Sequence, residues 1–393
     1  MARRIFWIIS LMALLLAACG ENDKQSEPEP VSEISIPAKL LVWHSFEGED
    51  QQAIDELGLD FSLAHPGIAL TLEYVPADQL QTRFDETVLA GAGPDMLIGP
   101  QTWIEALGQA GLIQPISFEL YEQLTQNVHV MLRSGTALDE MPYGTALGAN
   151  FPVIYLNNSQ FSFDIPHTFE GLIELARVRI EIQPTFFATS ALYLSDGHRL
   201  RDEQGENLVT EAAFTAYLER LQELVAIPGV QFTDDNSAFE QGEHGILMAT
   251  AADYARLSAA RGDDLQVLAP PDVGNDNWDA LVTLDSALMI SLNATAESVQ
   301  AAEEFCMFMT GADAQRLWLE QTGRPPVNPT GITDTMVRDA FWGGIQRGVV
   351  TPPDADFYDN VLPVLDRAVV AVTLEGADPA TVAAETVATL NAN

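Results

Sequence analysis

The stretch that decides the fold runs Thr87-Val88-Leu89-Ala90-Gly91-Ala92-Gly93-Pro94-Asp95-Met96-Leu97. Gly91 and Gly93 end a helix that is predicted over residues 78–90, because glycine readily adopts the left-handed backbone that follows a helix. Pro94 then restricts the turn, and an apolar strand is predicted over residues 95–98. The pattern indicates an inner strand of an α/β sheet, and the carboxyl ends of such strands face the crevice where ligands bind.

The same alternation of strand and helix continues on both sides of this stretch. It predicts a mainly parallel sheet with helices on both faces, and the pattern restarts after Pro142. A chain of 393 residues is longer than one core usually holds, so two lobes are expected. The other predicted elements are strands at 39–43, 69–74, 150–156 and from about 281, helices at 50–64, 103–110, 169–181 and 296–310, a hairpin at 200–209, a helix capped by Thr210, and helices over roughly the last sixty residues.

The amino terminus predicts secretion and a lipid anchor. Arg3 and Arg4 precede an apolar run over residues 5–17, which is too short for a bilayer span of about 20 residues. Small residues surround Cys19, as at the cleavage site of a bacterial lipoprotein, where the cysteine thiol receives the lipid. We therefore expect residues 1–18 to be a lipoprotein signal peptide and Cys19 to be the lipid attachment site. The alternative is an ordinary secreted protein with a chance cysteine at this position.

A polar spacer follows the apolar run. Residues 19–38 begin with the lipidated cysteine and continue as an acidic, proline-containing segment, which predicts a disordered tether. The globular body is therefore expected outside the cytoplasm, held to the cell membrane by lipid alone, on the periplasmic face or on the cell surface. The remaining cysteine, Cys306, lies in an apolar stretch and is expected to be a buried thiol without a disulfide partner.

The charge balance restricts the possible partners. The chain has 18 basic and 57 acidic residues, and its formal net charge is −39. Nucleic acid is a poor partner for such a chain, because phosphate binding needs clustered lysine and arginine. The acidity is compatible with a cationic ligand or with solubility in a salty or acidic medium, and the scattering of the acids along the chain favours solubility.

Motifs of catalysis and of metal binding are missing from the sequence. It contains no Gly-x-Ser-x-Gly elbow, no phosphate loop and no Gly-x-Gly-x-x-Gly. Two of the many acids could meet as a glycosidase pair, yet no spacing singles out such a pair. Histidines at metal-ligand spacing are also missing, and the six present are His44, His65, His129, His167, His198 and His244. The sequence therefore predicts a binding protein without metal or cofactor, and not an enzyme.

Residues 87–97 resemble the "A-x-G-x-x-P-D-hydrophobic" signature of bacterial extracellular solute-binding proteins, especially the maltose/oligosaccharide type (family 1) that serves ABC importers. Further segments are similar to motifs of the same family and occur in the family's order. They cover residues 108–116, 141–157, 166–172, 239–248, 301–315 and 322–327. The resemblance therefore extends over nearly the whole chain that follows the tether.

The resemblance implies an α/β fold of the two-lobed periplasmic-binding-protein type (type II). Each lobe has a mainly parallel sheet flanked by helices, and a ligand cleft with a crossover hinge lies between the lobes. By the same resemblance, lobe 1 comprises residues 39–147 and 275–328, and lobe 2 comprises residues 148–274 and 329–393, including the C-terminal helices.

The function implied by the resemblance is that of a monomeric receptor. It would capture a mono- or oligosaccharide by hinge closure and deliver it to the membrane permease subunits of an ABC importer. Two alternatives stay open at the level of the sequence. One is a receptor for a cationic solute such as a polyamine, and the other is a surface glycan hydrolase.

Four segments would line the cleft and supply the ligand-binding residues. Sugars stack their C–H faces on aromatic rings and need hydrogen-bonding groups around their rims. The candidates that fit these needs are Trp43, His44, Ser45 and Glu47, then Gln101, Thr102 and Trp103, then Tyr143 and Asn150, and finally Asp253 and Tyr254, with Asp285 as a further candidate. Trp43 and Trp103 are equally compatible with core packing, and Trp278, Phe357 and Tyr358 are weaker candidates.

Overall fold

The computed structural model describes residues 38–138, 140–161, 166, 168–202, 205–268 and 279–392. The predicted signal peptide, the lipid attachment site Cys19, the tether up to residue 37 and Trp278 all lie outside the described residues. Among the described helices, none is long and apolar enough to cross a bilayer.

The described residues alternate between short strands and helices over most of their length. The strands are β1 (Ala38–His44), β2 (Ile68–Tyr74), β3 (Met96–Gly99), β4 (Ile113–Gln114), β5 (Ala137–Leu138), β6 (Met141–Pro142), β7 (Thr145–Ala146), β8 (Ala149–Asn150), β9 (Pro152–Asn157), β10 (Ile180–Ile182), β11 (Val230–Phe232), β12 (Ile246–Thr250), β13 (Leu265–Leu268), β14 (Ala280–Leu284), β15 (Ala287–Ser291) and β16 (Gly348–Val350).

The helices lie between these strands and after them. They are α1 (Gly48–Ala64), α2 (Ala77–Leu89), α3 (Trp103–Gln109), α4 (Phe118–Gln123), α5 (Val130–Ser134), α6 (Phe169–Ile173), α7 (Phe186–Thr189), α8 (Ala191–Leu194), α9 (Glu211–Val225), α10 (Ser237–Glu240), α11 (Tyr254–Arg261), α12 (Ala296–Met309), α13 (Ala312–Thr322), α14 (Thr335–Gln346), α15 (Leu362–Thr373) and α16 (Pro379–Leu390).

The first sheet has the strand order β2-β1-β3-β15-β4, with β7 paired to β15. Strand β1 runs parallel to β2 and β3, whereas β15 returns antiparallel to β3. Asp95 fixes the entry into β3, because its carboxylate accepts a hydrogen bond from the Leu41 amide at 2.9 Å while its own amide donates to the Leu41 carbonyl. The strand predicted from the glycine-rich stretch is therefore an inner strand, as expected.

The second sheet has the order β11-β10-β12-β9-β13. Strand β10 runs parallel to β11 and β12, and β9 is antiparallel to β12. Helices α9, α15 and α16 pack against one another beside this sheet, and their apolar residues share one buried cluster with its strands. A third, smaller sheet of order β16-β14-β8 lies where the chain passes between the other two.

Both faces of the first sheet are covered. On one face, buried residues of α1, α12 and α13 pack with Leu40, Val42 and Ile98 of the strands. On the other face, α2 and α3 enclose a separate apolar cluster that includes Trp43 and Leu97. Alternate residues of β1 therefore enter opposite clusters, as the two-residue period of a strand requires.

Most of the predicted elements are confirmed within a residue or two, and one is wrong. The helix predicted over residues 169–181 ends at Ile173, and Ile180–Ile182 is instead strand β10 in the middle of the second sheet. A short apolar run does not distinguish a buried strand from a buried helix by periodicity, so pairing with β11 and β12 decides between them. The predicted cap at Thr210 is confirmed, since its hydroxyl accepts a hydrogen bond from the Ala213 amide.

Candidate functional site

The candidate site residues follow strands whose carboxyl ends lie at corresponding edges of the two main sheets. In the first sheet, β1 ends at His44 and β3 ends at Gly99. In the second sheet, β10 ends at Ile182 and β12 ends at Thr250. In open α/β sheets, ligands bind beyond the carboxyl ends of the strands. The segments after these strands are therefore the candidate walls of a ligand cleft.

Among the described residues, three segments pass between the sheets and hydrogen-bond to one another. We call them the crossover segments, and they are residues 147–151, 284–287 and 323–328. The Leu147 amide donates to the Ser286 carbonyl at 2.9 Å, and the Ala149 amide donates to the Pro325 carbonyl at 3.0 Å. This backbone bundle has the arrangement of a hinge, since three short segments connect the two main sheets.

The contact between Gly148 and Asp285 is the tightest point of the crossover segments. The Asp285 amide donates to the Gly148 carbonyl at 3.3 Å. A Cβ atom on Gly148 would lie 2.4 Å from Oδ1 of Asp285, so a side chain there would displace the carboxylate or the backbone. The Asp285 carboxylate thus lies directly on the backbone of the first crossover segment.

Arg324, which was not predicted to bind ligand, links this carboxylate to α1. Arg324 donates from Nη1 to Oδ2 of Asp285 at 3.3 Å, and from Nη2 to Oδ2 of Asp50 at 2.6 Å. The Asp285 side chain is 27% exposed, yet its Oδ1 is buried without a hydrogen-bond partner among the described residues. Burial raises the pKa of Asp285, and Arg324 acts in the opposite direction. Arg324 lies in the segment 322–327, which is one of the segments that resemble motifs of the family.

The loop after β1 divides into buried and accessible residues. Trp43 is 4% exposed and lies in the apolar cluster under α2, with the Arg83 guanidinium 4.6 Å from its ring centroid. This packing places Trp43 in the core, and its expected contact with ligand stays a prediction. His44 is also fully buried, with Nδ1 accepting a hydrogen bond from the Phe46 amide at 3.2 Å. Burial lowers the pKa of His44, and Asp55 opposes that effect.

The accessible part of this loop consists of Ser45 and Glu47. Ser45 is half-buried and Glu47 is exposed. Glu47 accepts a short hydrogen bond from the hydroxyl of Tyr74, which stands at the carboxyl end of the neighbouring strand β2. That bond is the first cause of the raised pKa of Tyr74. Tyr74 was not predicted as a ligand-binding residue. Its position at the end of the strand predicted over residues 69–74 could have indicated that it lies near the cleft.

The loop after β3 also contains both buried and accessible residues. Gln101 is 1% exposed, its amide nitrogen donates to the Gly135 carbonyl, and its amide oxygen accepts from the Tyr358 hydroxyl at 3.3 Å. Its amide is therefore occupied by the protein, and its expected contact with ligand stays a prediction. Thr102 and Trp103 are half-buried. The Trp103 ring covers Gly99, where a Cβ atom would lie 2.8 Å from the ring.

At the crossover, Tyr143 and Asn150 have different surroundings. Tyr143 is half-buried and packs on the apolar cluster under α3. Asn150 accepts hydrogen bonds at Oδ1 from the amides of Phe151 and Ala252, at 3.1 and 3.0 Å. Asn150 therefore joins the first crossover segment to the loop after β12, and the structure brings these two predicted segments together.

Asp253 and Tyr254 are held by neighbours on their own lobe of the fold. Asp253 accepts hydrogen bonds from Thr250, Gln183 and Arg256, so it caps the turn after β12. Tyr254 is half-buried, and its ring meets Phe341 edge to face at 5.5 Å. Both residues have structural roles here, which lowers their availability to a ligand.

The residues that keep accessible polar or aromatic surface are Ser45, Glu47, Thr102, Trp103 and Tyr143, with Arg324 beside them in the crossover segments. They offer aromatic faces, hydroxyls, a carboxylate and a guanidinium, a set that suits the recognition of a polar ligand with flat apolar faces. Within the described residues, no group of three or more histidine, cysteine, aspartate or glutamate side chains could hold a metal ion.

Comparison with known proteins places this geometry in a family. A maltotriose-binding protein of Pyrococcus abyssi (strain GE5 / Orsay) is 26% identical over 137 residues, which are 35% of this chain and 30% of that protein. The chain thus matches about a third of the length of that relative.

Solved structures show the fold. A cyclo/maltodextrin-binding protein complexed with maltotetraose has a TM-score of 0.75 at 17% identity, covering 91% of this chain and 97% of that one. An extracellular solute-binding protein of Staphylococcus aureus in complex with maltose has a TM-score of 0.77 at 13% identity, covering 91% and 98%. These matches confirm the two-lobed α/β fold of the maltose-binding type. The family model described as bacterial extracellular solute-binding protein matches residues 56–340, and the chain belongs to this family.

Proposed function

We propose that the protein is the extracytoplasmic receptor of an ABC importer, and that it captures a malto-oligosaccharide between its two lobes. The observation that carries the proposal is membership of the solute-binding family together with the stretch similar to a maltotriose-binding protein. The solved structures with this fold include proteins described in complex with maltotetraose and with maltose.

The accessible residues after β1 and β3 support a sugar as the ligand. Trp103 and Tyr143 each combine a half-buried ring with a polar edge, which suits stacking on the C–H face of a pyranose. Ser45, Glu47 and Thr102 supply hydroxyl and carboxylate groups for the sugar hydroxyls. The proposal therefore keeps these five residues as ligand contacts and leaves out Trp43 and Gln101.

Hinge closure is the proposed mechanism of capture. The sheets are connected by the crossover segments, so a small backbone change there alters the angle between two rigid bodies. A ligand that touches both lobes only in the closed form stabilises that form by its differential affinity. The closed form would then be the one that the permease subunits recognise. We further propose that the receptor acts as a monomer, anchored to the membrane through lipid on Cys19.

A cationic solute is less well supported. The acids that motivated this alternative already have donors: Tyr74 binds Glu47, Gln183 and Arg256 bind Asp253, and Arg324 binds Asp285. Each of these acids therefore already uses part of its acceptor capacity within the protein. The structure therefore favours the neutral, hydroxyl-rich ligand.

The test is a calorimetric titration of the purified protein with maltose, maltotriose, maltotetraose, cellobiose and spermidine. We expect heat of binding and a higher melting temperature with the malto-oligosaccharides. A ligand at 100 times its dissociation constant should add about 2.7 kcal/mol to the free energy of unfolding. The bound sugar, recovered after incubation, should be chromatographically unchanged. Binding of spermidine alone would support the cationic alternative, and shortened sugar would show a hydrolase.

A further inference from the structure

A pocket of about 430 Å³ opens at the amino-terminal edge of the second sheet. Strands β10, β11 and β12 begin side by side there, since Ile180 is paired with both Val230 and Ile246. The carboxyl ends of β10 and β12, where the candidate ligand cleft lies, are at the other end of the same strands. The volume falls in the range of about 300–1,000 Å³ that small-molecule sites occupy. It is a site separate from the proposed sugar cleft.

Hydrogen-bond donors with positive or titratable character line this pocket. Arg177 and Arg179 contribute guanidinium groups, Gln231 contributes an amide, and His244 contributes its ring. The whole chain has only 18 lysine and arginine residues against 57 acids, so two arginines at one small pocket form a distinct local feature. Among the described residues, the Arg179 side chain has no hydrogen bond or ion pair and is exposed. Its donors are available to a ligand.

The backbone holds Arg179 in a conformation that side chains rarely adopt. Its φ is 63° and its ψ is 133°, at the end of the 3-10 turn Ala176–Val178. The Arg179 amide donates to the Ala176 carbonyl at 2.9 Å, and its carbonyl accepts from the amides of Gly245 and Ile246. Non-glycine residues kept in such regions concentrate at binding sites, where the surrounding structure enforces them.

Another part of the pocket lining is held by a tight backbone contact. Gly229 has a φ of 99°, and a Cβ atom there would lie 2.1 Å from the Ala176 carbonyl oxygen. The loop before β11 therefore lies against the turn before β10, and the pocket has a fixed backbone frame. Such a frame places donors without a large loss of conformational entropy on binding.

A buried carboxylate orients the imidazole. Oε1 of Glu181 lies 2.5 Å from Nδ1 of His244, and Glu181 is 1% exposed. Because Nδ1 is engaged with Glu181, Nε2 is the nitrogen that the ring can offer to a ligand. A carboxylate partner at Nδ1 fixes the orientation of the imidazole ring.

This donor set selects among ligand classes. Two guanidinium groups repel a metal cation, and a polar wall does not suit an apolar ligand. Planar guanidinium groups match the oxygens of phosphate in bidentate geometry. We propose that the pocket of Arg177, Arg179, Gln231 and His244 is a second ligand site, which binds a phosphate group, either as free phosphate or as a phosphate ester.

The test is titration of the purified protein in a buffer free of phosphate and sulfate, at low ionic strength, by calorimetry and by ³¹P NMR. Inorganic phosphate is one arm and glucose 6-phosphate is the other. Binding of inorganic phosphate alone identifies the free ion as the ligand, and binding of both identifies the phosphate group. Absence of binding in both arms overturns the proposal.

The variant Arg179→Gly tests the site without threatening the fold, since glycine adopts a φ of 63° readily. We expect it to weaken phosphate binding by about tenfold or more, because one charge-assisted hydrogen-bonding group is lost. The matched control is Arg338→Ala, which removes one positive charge from the exposed side of α14. Equal phosphate affinity in Arg179→Gly and the parent protein would contradict the proposal.

A malto-oligosaccharide titration of Arg179→Gly separates this proposal from the proposed function. The pocket and the sugar cleft lie at opposite ends of the strands, so sugar affinity should be unchanged in this variant. Loss of phosphate binding with intact sugar binding supports two independent sites. Loss of both would place Arg179 in the sugar site or in the stability of the lobe, and would overturn the assignment.

Discussion

Arg324 and Asp285 form an ion pair, with Nη1 3.3 Å from Oδ2, at the place where the crossover segments meet. Arg324 belongs to the third segment and Asp285 to the second, and Gly148 of the first lies against the carboxylate. One charged contact therefore connects all three segments, and Asp50 extends it to the start of α1. The proposed hinge is therefore polar at its centre.

This arrangement predicts a pH-dependent stability. Burial raises the pKa of Asp285 above 3.8, so the folded state holds the proton more tightly than the unfolded state. The free energy of unfolding should then fall as the pH rises from about 3.8 to the raised pKa, and stay lower above it. In Asp285→Asn, which cannot titrate at this position, this change of the free energy of unfolding with pH should be absent. Chemical denaturation of both proteins across this pH range measures it, and parallel curves would contradict the prediction.

Gly148 should tolerate no side chain. In Gly148→Ala the new methyl group would lie 2.4 Å from Oδ1 of Asp285, so the carboxylate or the crossover backbone must shift. We expect a loss of about 1–3 kcal/mol in the free energy of unfolding and weaker sugar binding. The control is Gly67→Ala, where no atom lies within 4 Å of the added Cβ.

A double variant tests whether the clash is with the carboxylate. Asp285→Ala removes the obstructing group, so Gly148→Ala should cost less in that background than in the parent protein. Equal costs in the two backgrounds would show that the strain lies in the backbone alone. Thermal and chemical denaturation of the four proteins supply the comparison.

Trp43 lies near the carboxyl end of β1, and Trp103 follows the carboxyl end of β3. Replacing each by alanine should affect stability and sugar affinity differently. Trp43→Ala removes a ring from the core, and we expect a loss of about 3–5 kcal/mol in stability with little change in sugar affinity. Trp103 is half-buried, and Trp103→Ala should weaken malto-oligosaccharide binding by about 0.5–1.5 kcal/mol through lost stacking. Calorimetry and denaturation on both variants measure this. Unchanged affinity in Trp103→Ala would make Trp103 an anchor of α3.

The thiol of Cys306 should be unreactive in the folded protein. It is fully buried, and burial raises its pKa far above that of an exposed cysteine, so little thiolate forms. A colorimetric thiol reagent should detect no Cys306 until denaturant is added. The same titration tests the predicted anchor, because one thiol in denaturant indicates that Cys19 is blocked and two indicate that it is free. Rapid labelling of Cys306 without denaturant would contradict its burial.

Local patterns predicted most of the framework. The glycine pair, Pro94 and Asp95 marked the start of an inner strand, and the structure has β3 there, with Asp95 bonded to Leu41. Such signals act through a few neighbouring residues, so they can be recognised in the chain itself. The helix expected over residues 169–181 is wrong because strand Ile180–Ile182 is stabilised by partners more than sixty residues and about fifty residues away in sequence.

The candidate site was only partly predictable for the same reason. Position after a strand selected Trp43 and Gln101 as well as Trp103 and Thr102, yet the first two are buried. Burial depends on α2, Gly135 and Tyr358, which reach these residues only in the folded chain. Arg324 was missed as a site residue because its partners, Asp50 and Asp285, are distant in sequence.

By itself the sequence determined most of the order of strands and helices, the family and the class of protein, because these depend on short-range patterns and motif order. Tertiary structure alone decided which side chains are accessible, which acids are neutralised, and how the three crossover segments meet. The physical reason is that accessibility and electrostatic pairing are set by long-range packing, where each group is desolvated by residues that are remote along the chain.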